Sequence, residues 1–309
     1  MTEERKYTVT WAGFIITLLG SILFSTKAVI VKVAFAHTPM DALTLLTLRM
    51  AFSFPFYIVA AWMASSKKDV TPITARQWMY IIFLGLFGYY LSSLFDFMGL
   101  KYISAGLERL ILFLYPTFAV LINFFVFRQA ISRIQWSALV LTYIGIVIAY
   151  VGEMQIDFDN PDFIWGSLLI FLCAITFSTY IVGSGRCIPT VGATRFTAYA
   201  MLASSFGVFI HFAFAGNMQA AEQAAHYWWY GILLAIMATV IPTFMIANGM
   251  KRIGSNNVAI ISAIGPVSTI IQAHFIVGEK IFTAQIIGTV LVVAGVLLIG
   301  WKSAKSAGK

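Results

Sequence analysis

Apolar residues fill this chain in long runs, near 10–34, 42–63, 78–99, 105–127, 135–151, 163–184, 192–214, 228–249, 256–277 and 282–301. Polar residues gather in the short gaps between them. A membrane-spanning helix needs roughly 20 consecutive apolar residues. The pattern therefore predicts an all-α polytopic membrane protein of ten crossings, with no gap long enough for a separate soluble domain. Arg5 and Lys6 ahead of the first run, and Ala34-Phe35-Ala36 at its end, have the form of a secretory leader. Lys27 and Lys32 interrupt that run, and its length fits a crossing, so a retained first helix is expected.

The runs repeat. The stretch from Trp78 aligns without gaps to the stretch from Trp228, matching Tyr80 with Tyr230, Gly99 with Gly249 and Lys101 with Lys251 at an offset of 150. The same offset carries Pro116 to Pro266, Gln135 to Gln285 and Gly145 to Gly295. The first helix repeats at an offset of 153, where Phe24-Ser25-Thr26-Lys27 meets Phe177-Ser178-Thr179-Tyr180. Two five-helix halves follow, 10–151 and 163–301. Because five is odd, the second half must enter the membrane from the opposite side. Inverted repeats of this kind are typical of secondary transporters, whose binding sites lie near midplane between the repeats. Pro116 and Pro266 fall near the middle of matched crossings, where proline removes a backbone donor and bends a helix. They are the expected gating positions.

Charge sets the orientation. With the N-terminus inside, thirteen Lys and Arg residues fall in inner segments, and only Lys101 and Lys280 in outer ones. The positive-inside rule then places both termini in the cytoplasm and the acidic loop 153–162 outside. The net charge of +8 has the same explanation. No basic stripe or nucleic-acid motif accompanies it, so no nucleic-acid partner is expected. Composition agrees, at 60% hydrophobic and 10% charged, against about 25% charged in a soluble domain. Cys173 lies in an apolar run and Cys187 in a short loop, while the histidines show no metal-ligand spacing, so neither a disulfide framework nor a metal or other cofactor is expected. Nucleophile-elbow and phosphate-loop motifs are absent, which argues against an enzyme. Trp78, Trp228 and Trp229 start helices and read as interfacial anchors.

Several stretches resemble the EamA-domain family of the drug/metabolite transporter superfamily, over essentially the whole chain. LLGSILFSTKAV, with Gly20 and Lys27, resembles the family's first helix, and TLRMAF, with Arg49, its second-helix arginine signature. GLKYISAGLERLILFLYP resembles the third-to-fourth-helix segment, and IGPVSTIIQAHFIVGEKI the ninth helix with its following Gly278-Glu279. The first half departs by placing Gln129 where Glu279 stands in the second, and the second half by placing Tyr180 in the place of lysine. The halves thus share a fold but not equal roles in binding. The resemblance implies transport of small molecules across a bacterial inner membrane, with the lipid bilayer and a small-molecule substrate as partners, and a homodimer as the oligomer to test for.

The charges inside the helices are the candidate chemistry. A charge at the centre of a bilayer helix costs roughly 2.5–3.5 kcal/mol on lenient scales, so such residues tend to be functional. Lys27 lies ~24 Å along its helix from Trp11 at 1.5 Å per residue. That depth, in the outer half of the membrane, is shared by Asp96 near the outer end of the third helix and by Glu108 and Arg109 near the outer start of the fourth. Adjacent residues point about 100° apart on a helix, so Glu108 and Arg109 need partners elsewhere. Lys27 is expected to pair with Glu108, and Asp96 with Arg109. Tyr115, seven residues after Glu108, extends a polar stripe toward Asn123. Arg49 is a deeper candidate, whereas Lys32 and Arg195 are expected to reach the interfaces. A charge network of this kind suits export of a small zwitterionic or anionic, amino-acid-like metabolite by alternating access. The aromatic content suits an alternative, a flippase-like or multidrug carrier of amphipathic compounds, and a non-transporting membrane sensor is a third class.

Overall fold

The computed structural model describes residues 10–66, 71–128, 133–156, 160–262 and 264–306. Arg5, Lys6, Lys67, Lys68, Gln129, Asp157 and Lys309, which entered the charge and repeat arguments, lie outside the described residues. Among the described residues the chain is helical, without strands. The helices are α1 (Trp11–His37), α2 (Ala42–Ser65), α3 (Ala75–Phe83), α4 (Leu91–Gly99), α5 (Ala105–Leu112), α6 (Tyr115–Phe127), α7 (Arg133–Ile156), α8 (Phe163–Val191), α9 (Ala193–Ala215), α10 (Met218–Ala224), α11 (Trp228–Ala235), α12 (Ile241–Ser262), α13 (Ile264–Gln272) and α14 (Thr283–Ser306).

Local chemistry starts them. Thr10, Asp41, Thr74 and Ser104 each accept a backbone N–H three residues ahead, which satisfies a donor that the first turn leaves open. Three junctions are π-helical rather than broken: Leu84–Tyr90 between α3 and α4, Ile236–Val240 between α11 and α12, and Ala273–Val277 after α13.

Seven of the described helical stretches are long and apolar enough to cross a membrane: Trp11–His37, Ala42–Ser65, Ala75–Gly99, Ala105–Phe127, Phe163–Val191, Ala193–Ala215 and Ala221–Gly249. Shorter apolar stretches occupy Leu139–Glu153, Ile264–Val277 and Thr283–Gly295.

Some boundaries differ from the sequence reading. Helix α8 runs on to Val191, so Cys187 is a buried helical residue and not part of a loop. The expected gap near 250–255 is helical, within α12. The chain still turns back there, because the Val258 side chain lies 3.4 Å from where a β-carbon on Gly249 would sit. Nine residues of straight helix would separate the two by ~13.5 Å.

Solvation is inverted relative to a soluble protein. Large apolar side chains such as Phe56, Val59, Phe125, Val147, Phe214 and Val290 face outward, as a lipid-facing surface requires. Lys27, Arg49, Asp96, Glu108 and Arg109, by contrast, are buried inside. Helix α1 packs against α12, α2 against α9, α4 against α8, and α7 against α14. The last crossing is closest where glycines meet. A β-carbon on Gly288 would lie 2.5 Å from the Gly145 carbonyl oxygen, and one on Gly145 2.7 Å from the Gly288 oxygen. Small residues at such crossings let helix backbones approach, and this supplies packing where lipid removes the hydrophobic drive.

Gly288→Ala should therefore destabilise the protein by about 1–3 kcal/mol through overpacking. Gly185→Ala, at a position with nothing within 4 Å, should not. Thermal unfolding of both variants in the same detergent checks this, and equal midpoints would remove the α7–α14 crossing as a packing constraint.

Candidate functional site

Five acidic or basic side chains from α1, α2, α4 and α5 are at most 5% exposed: Lys27, Arg49, Asp96, Glu108 and Arg109. The Lys27 ammonium lies 2.7 Å from Asp96 Oδ2 and 3.5 Å from Glu108 Oε1. One cation thus serves two carboxylates, on segments either side of the turn at Leu100–Ser104. Buried charges are tolerated when paired in this way, and removing one partner typically costs about 3–5 kcal/mol. These three residues, expected at one depth, lie within ion-pair distance of a single ammonium group.

Arg109 departs from expectation. Lys27 takes Asp96, and Arg109 turns instead to Ser25 Oγ, to which it donates at 3.2 Å, while its guanidinium lies over the rings of Phe24 (5.4 Å) and Phe113 (6.0 Å). Its Nη2 lies 3.0 Å from where a β-carbon on Gly265 would be, so a larger residue there would press on the guanidinium. The reason is angular, since the rotation that aims Glu108 at Lys27 carries Arg109 toward α13.

Tyr115 lies within reach of the Arg109 charge but forms no ion-pair contact with the acids. The crossing is not a continuous helix, because α5 ends at Leu112 and α6 starts at Tyr115. The polar stripe expected from a straight helix stops at this break. The Tyr115 ring packs against Phe113 and Phe177, and its carbonyl accepts from Ser178 Oγ at 2.9 Å. Pro116 stands in the first turn of α6, where a missing N–H costs nothing. It restarts a helix rather than bending one. Pro266 is buried at the third residue of α13. Lys32 donates to the Ile103 carbonyl at 2.9 Å and Arg195 to the Thr71 carbonyl at 3.0 Å, both away from the cluster.

Arg49 is more central than the sequence indicated. Its guanidinium donates to Thr239 Oγ1 (2.7 Å), the Tyr89 hydroxyl (2.9 Å) and Ser93 Oγ (3.5 Å). Lys27, Arg49, Tyr89, Ser93, Asp96 and Cys173 line one cavity. About 20 Å³ of it is open to the centre of a water-sized sphere, room for a water or one small polar group but not for a metabolite. The conformation is closed around its charges. With every group in its ordinary ionised state, three cations face two carboxylates, which leaves one net positive charge. Arg49 brings a cation to the cavity wall with hydroxyls as its hydrogen-bond partners. Tyr89 and Thr239 were not singled out in the sequence, although the offset of 150 residues that aligns the halves joins them.

A second contact ties the cluster to distant sequence. The Glu279 carboxylate accepts from the backbone N–H groups of Ala105 (2.8 Å) and Gly106 (3.3 Å), capping the helix that carries Glu108. A carboxylate is favoured at this end of a helix by the exposed donors and the dipole.

The model of the EamA-like transporter family matches residues 11–151 and again 164–301. The uncharacterized transporter YcbK of Bacillus subtilis is 29% identical over 294 residues, which is 93% of this chain and 92% of that protein. An uncharacterized transporter of Archaeoglobus fulgidus is 23% identical over 91% of this chain and 94% of its own length. One protein of known crystal structure superposes with a TM-score of 0.63 at 19% identity, over 93% of this chain and 95% of the other, so it shares the fold. The matched fold, the buried charges and the double match agree: the chain belongs to the EamA-like transporter family, whose members are transporters and not enzymes.

Proposed function

We propose that the protein is a secondary transporter that exports a small zwitterionic or anionic metabolite, amino-acid-like in its charges, by alternating access. The observation that carries this reading is the buried charge cluster around one cavity, with a net positive balance and a cation, Arg49, bonded to neutral hydroxyls. Asp96 and Glu108 suit an ammonium group or a proton, and Arg49 suits a carboxylate. Lys27 holds the two acids together when neither is engaged.

Ten crossings in two inverted halves are part of the proposal. Helices α7 and α14 are each 24 residues long, which is ~36 Å at 1.5 Å per residue and enough for a bilayer core of about 30 Å. Contacts recur under the repeat match. Ser178 bonds to the carbonyl of Tyr115, and Ser25, its counterpart, lies beside Gly265, the counterpart of Tyr115. The π-helical turns Leu84–Tyr90 and Ile236–Val240 also correspond. In this scheme Pro116 and Pro266 flank matched hinges for gating, both termini are cytoplasmic, and the loop 153–162 is outside.

Three outcomes are expected. A cysteine at Asp157 should react with an impermeant thiol reagent on intact cells and one at Lys305 should not, and the reverse pattern overturns the topology. Lys27→Gln should lower the yield of folded protein, costing about 3–5 kcal/mol. Adding Asp96→Asn should restore the yield but not export, measured as metabolite release at matched membrane abundance; release restored along with yield would reduce the pair to packing. Glu108→Gln keeps shape while removing charge, so it should insert normally and flatten the dependence of transport on pH. Wild-type kinetics from mildly acidic to mildly alkaline pH in that variant would remove Glu108 from substrate and proton handling.

A further inference from the structure

The three hydroxyls around Arg49 come from both halves of the chain, and two of them share a geometry. Tyr89 lies in the π-helical turn Leu84–Tyr90, and Thr239 in the turn Ile236–Val240. A π-turn inserts one residue into a helix, rotates the side chains that follow and leaves a carbonyl without its usual donor. At this turn Thr239 Oγ1 gives its proton to the Leu234 carbonyl five residues back at 2.8 Å. With its proton committed, this oxygen presents only lone pairs to the guanidinium, and it accepts from Arg49 Nε at 2.7 Å.

On the opposite side Tyr89 accepts from Nη2, and its ring, with that of Phe97, lies 5.5–5.8 Å from the guanidinium carbon. Tyr89 is itself braced by Tyr180 at 5.5 Å between ring centroids, and a β-carbon on Gly88 would meet the Tyr180 backbone. Arg49 is 1% exposed, yet it lines the cavity. The guanidinium is therefore fixed in direction by neutral hydrogen-bond partners, and Asp96, the acid whose charge reaches it, is already bonded to Lys27. An anionic group entering the cavity would replace hydrogen bonds to neutral oxygens with a bidentate ion pair, which the planar guanidinium favours.

We propose that Arg49 takes the anionic group of the substrate, and that Tyr89 and Thr239, one from each π-helical turn, are positioning residues that hold the guanidinium toward the cavity. The substrate class is thereby narrowed to metabolites that bear a carboxylate or a similar planar anion. Because the two hydroxyls belong to different halves, engagement of the anion also loosens a direct tie between those halves. This rests on the transport reading above.

The test compares spent medium from cells carrying an empty vector, the wild-type chain, Arg49→Gln, Arg49→Lys, Tyr89→Phe, Thr239→Val and Thr239→Ser. The probe is the whole set of small metabolites, scored by charge class and normalised to membrane abundance. Metabolites that change with the wild-type chain should carry an anionic group, and Arg49→Gln should reduce that change about tenfold or more, as loss of a charge-assisted hydrogen bond implies. In proteoliposomes loaded with the metabolite that changes most, Tyr89→Phe and Thr239→Val should raise KM more than they lower kcat, and Thr239→Ser should restore wild-type values. Wild-type export of anionic metabolites by Arg49→Gln overturns the assignment and leaves the transport reading standing. A wild-type change confined to cations or uncharged compounds overturns both. If Arg49→Gln fails to reach the membrane, Arg49→Lys decides: lost transport at normal abundance supports the bidentate role, and full transport overturns it. Unchanged KM in both Tyr89→Phe and Thr239→Val overturns the positioning role.

Discussion

One ammonium group, Lys27 Nζ, set between two carboxylates that are at most 1% exposed, is the contact on which the arrangement depends. Asp96 and Glu108 sit on helices joined by a short turn, and without a cation between them their charges would repel in a medium that screens little. Pairing requires three helices to agree in depth and rotation at once. The placement of Arg109 and the closure of the cavity are consequences of that agreement.

The amino-acid pattern made much of this legible. Rise per residue placed Lys27, Asp96 and Glu108 at one depth, and the structure brings those three together. The partner of Arg109 was not legible, because depth says nothing about which helix a side chain faces. The stripe through Tyr115 toward Asn123 was not legible for a related reason: angular arithmetic assumes a continuous helix, and the chain breaks at Phe113–Leu114. The hydroxyls around Arg49 were hidden by the π-helical turns, which shift the rotation of every later side chain in a way that hydropathy cannot register. The repeat offset pairs Tyr89 with Thr239, but their residue types differ and nothing in either segment marks it as polar.

The halves are alike in frame and unlike in chemistry. Where the first half has Lys27 the second has Tyr180, whose ring supports Tyr89. Phe24 and Phe177, matched residues, both line the cavity. The frame is therefore used twice, once to carry charge and once to brace the groups that aim it. Outward-facing phenylalanine and valine complete the inversion, because lipid accepts what water would not.

The cap that Glu279 places on α5 gives that helix a double allegiance. By sequence it belongs with Lys27 and Asp96, and by its outer backbone hydrogen bonds it is fastened to the far end of the chain. Such a segment acts as a cross-brace. When the two bodies it joins part company, the strain falls on its loosest fastening, and of the two acids Glu108 is held at 3.5 Å and Asp96 at 2.7 Å. In the alternating-access scheme proposed above, the contact set to open first is therefore that between Lys27 and Glu108, with Asp96 staying on the ammonium.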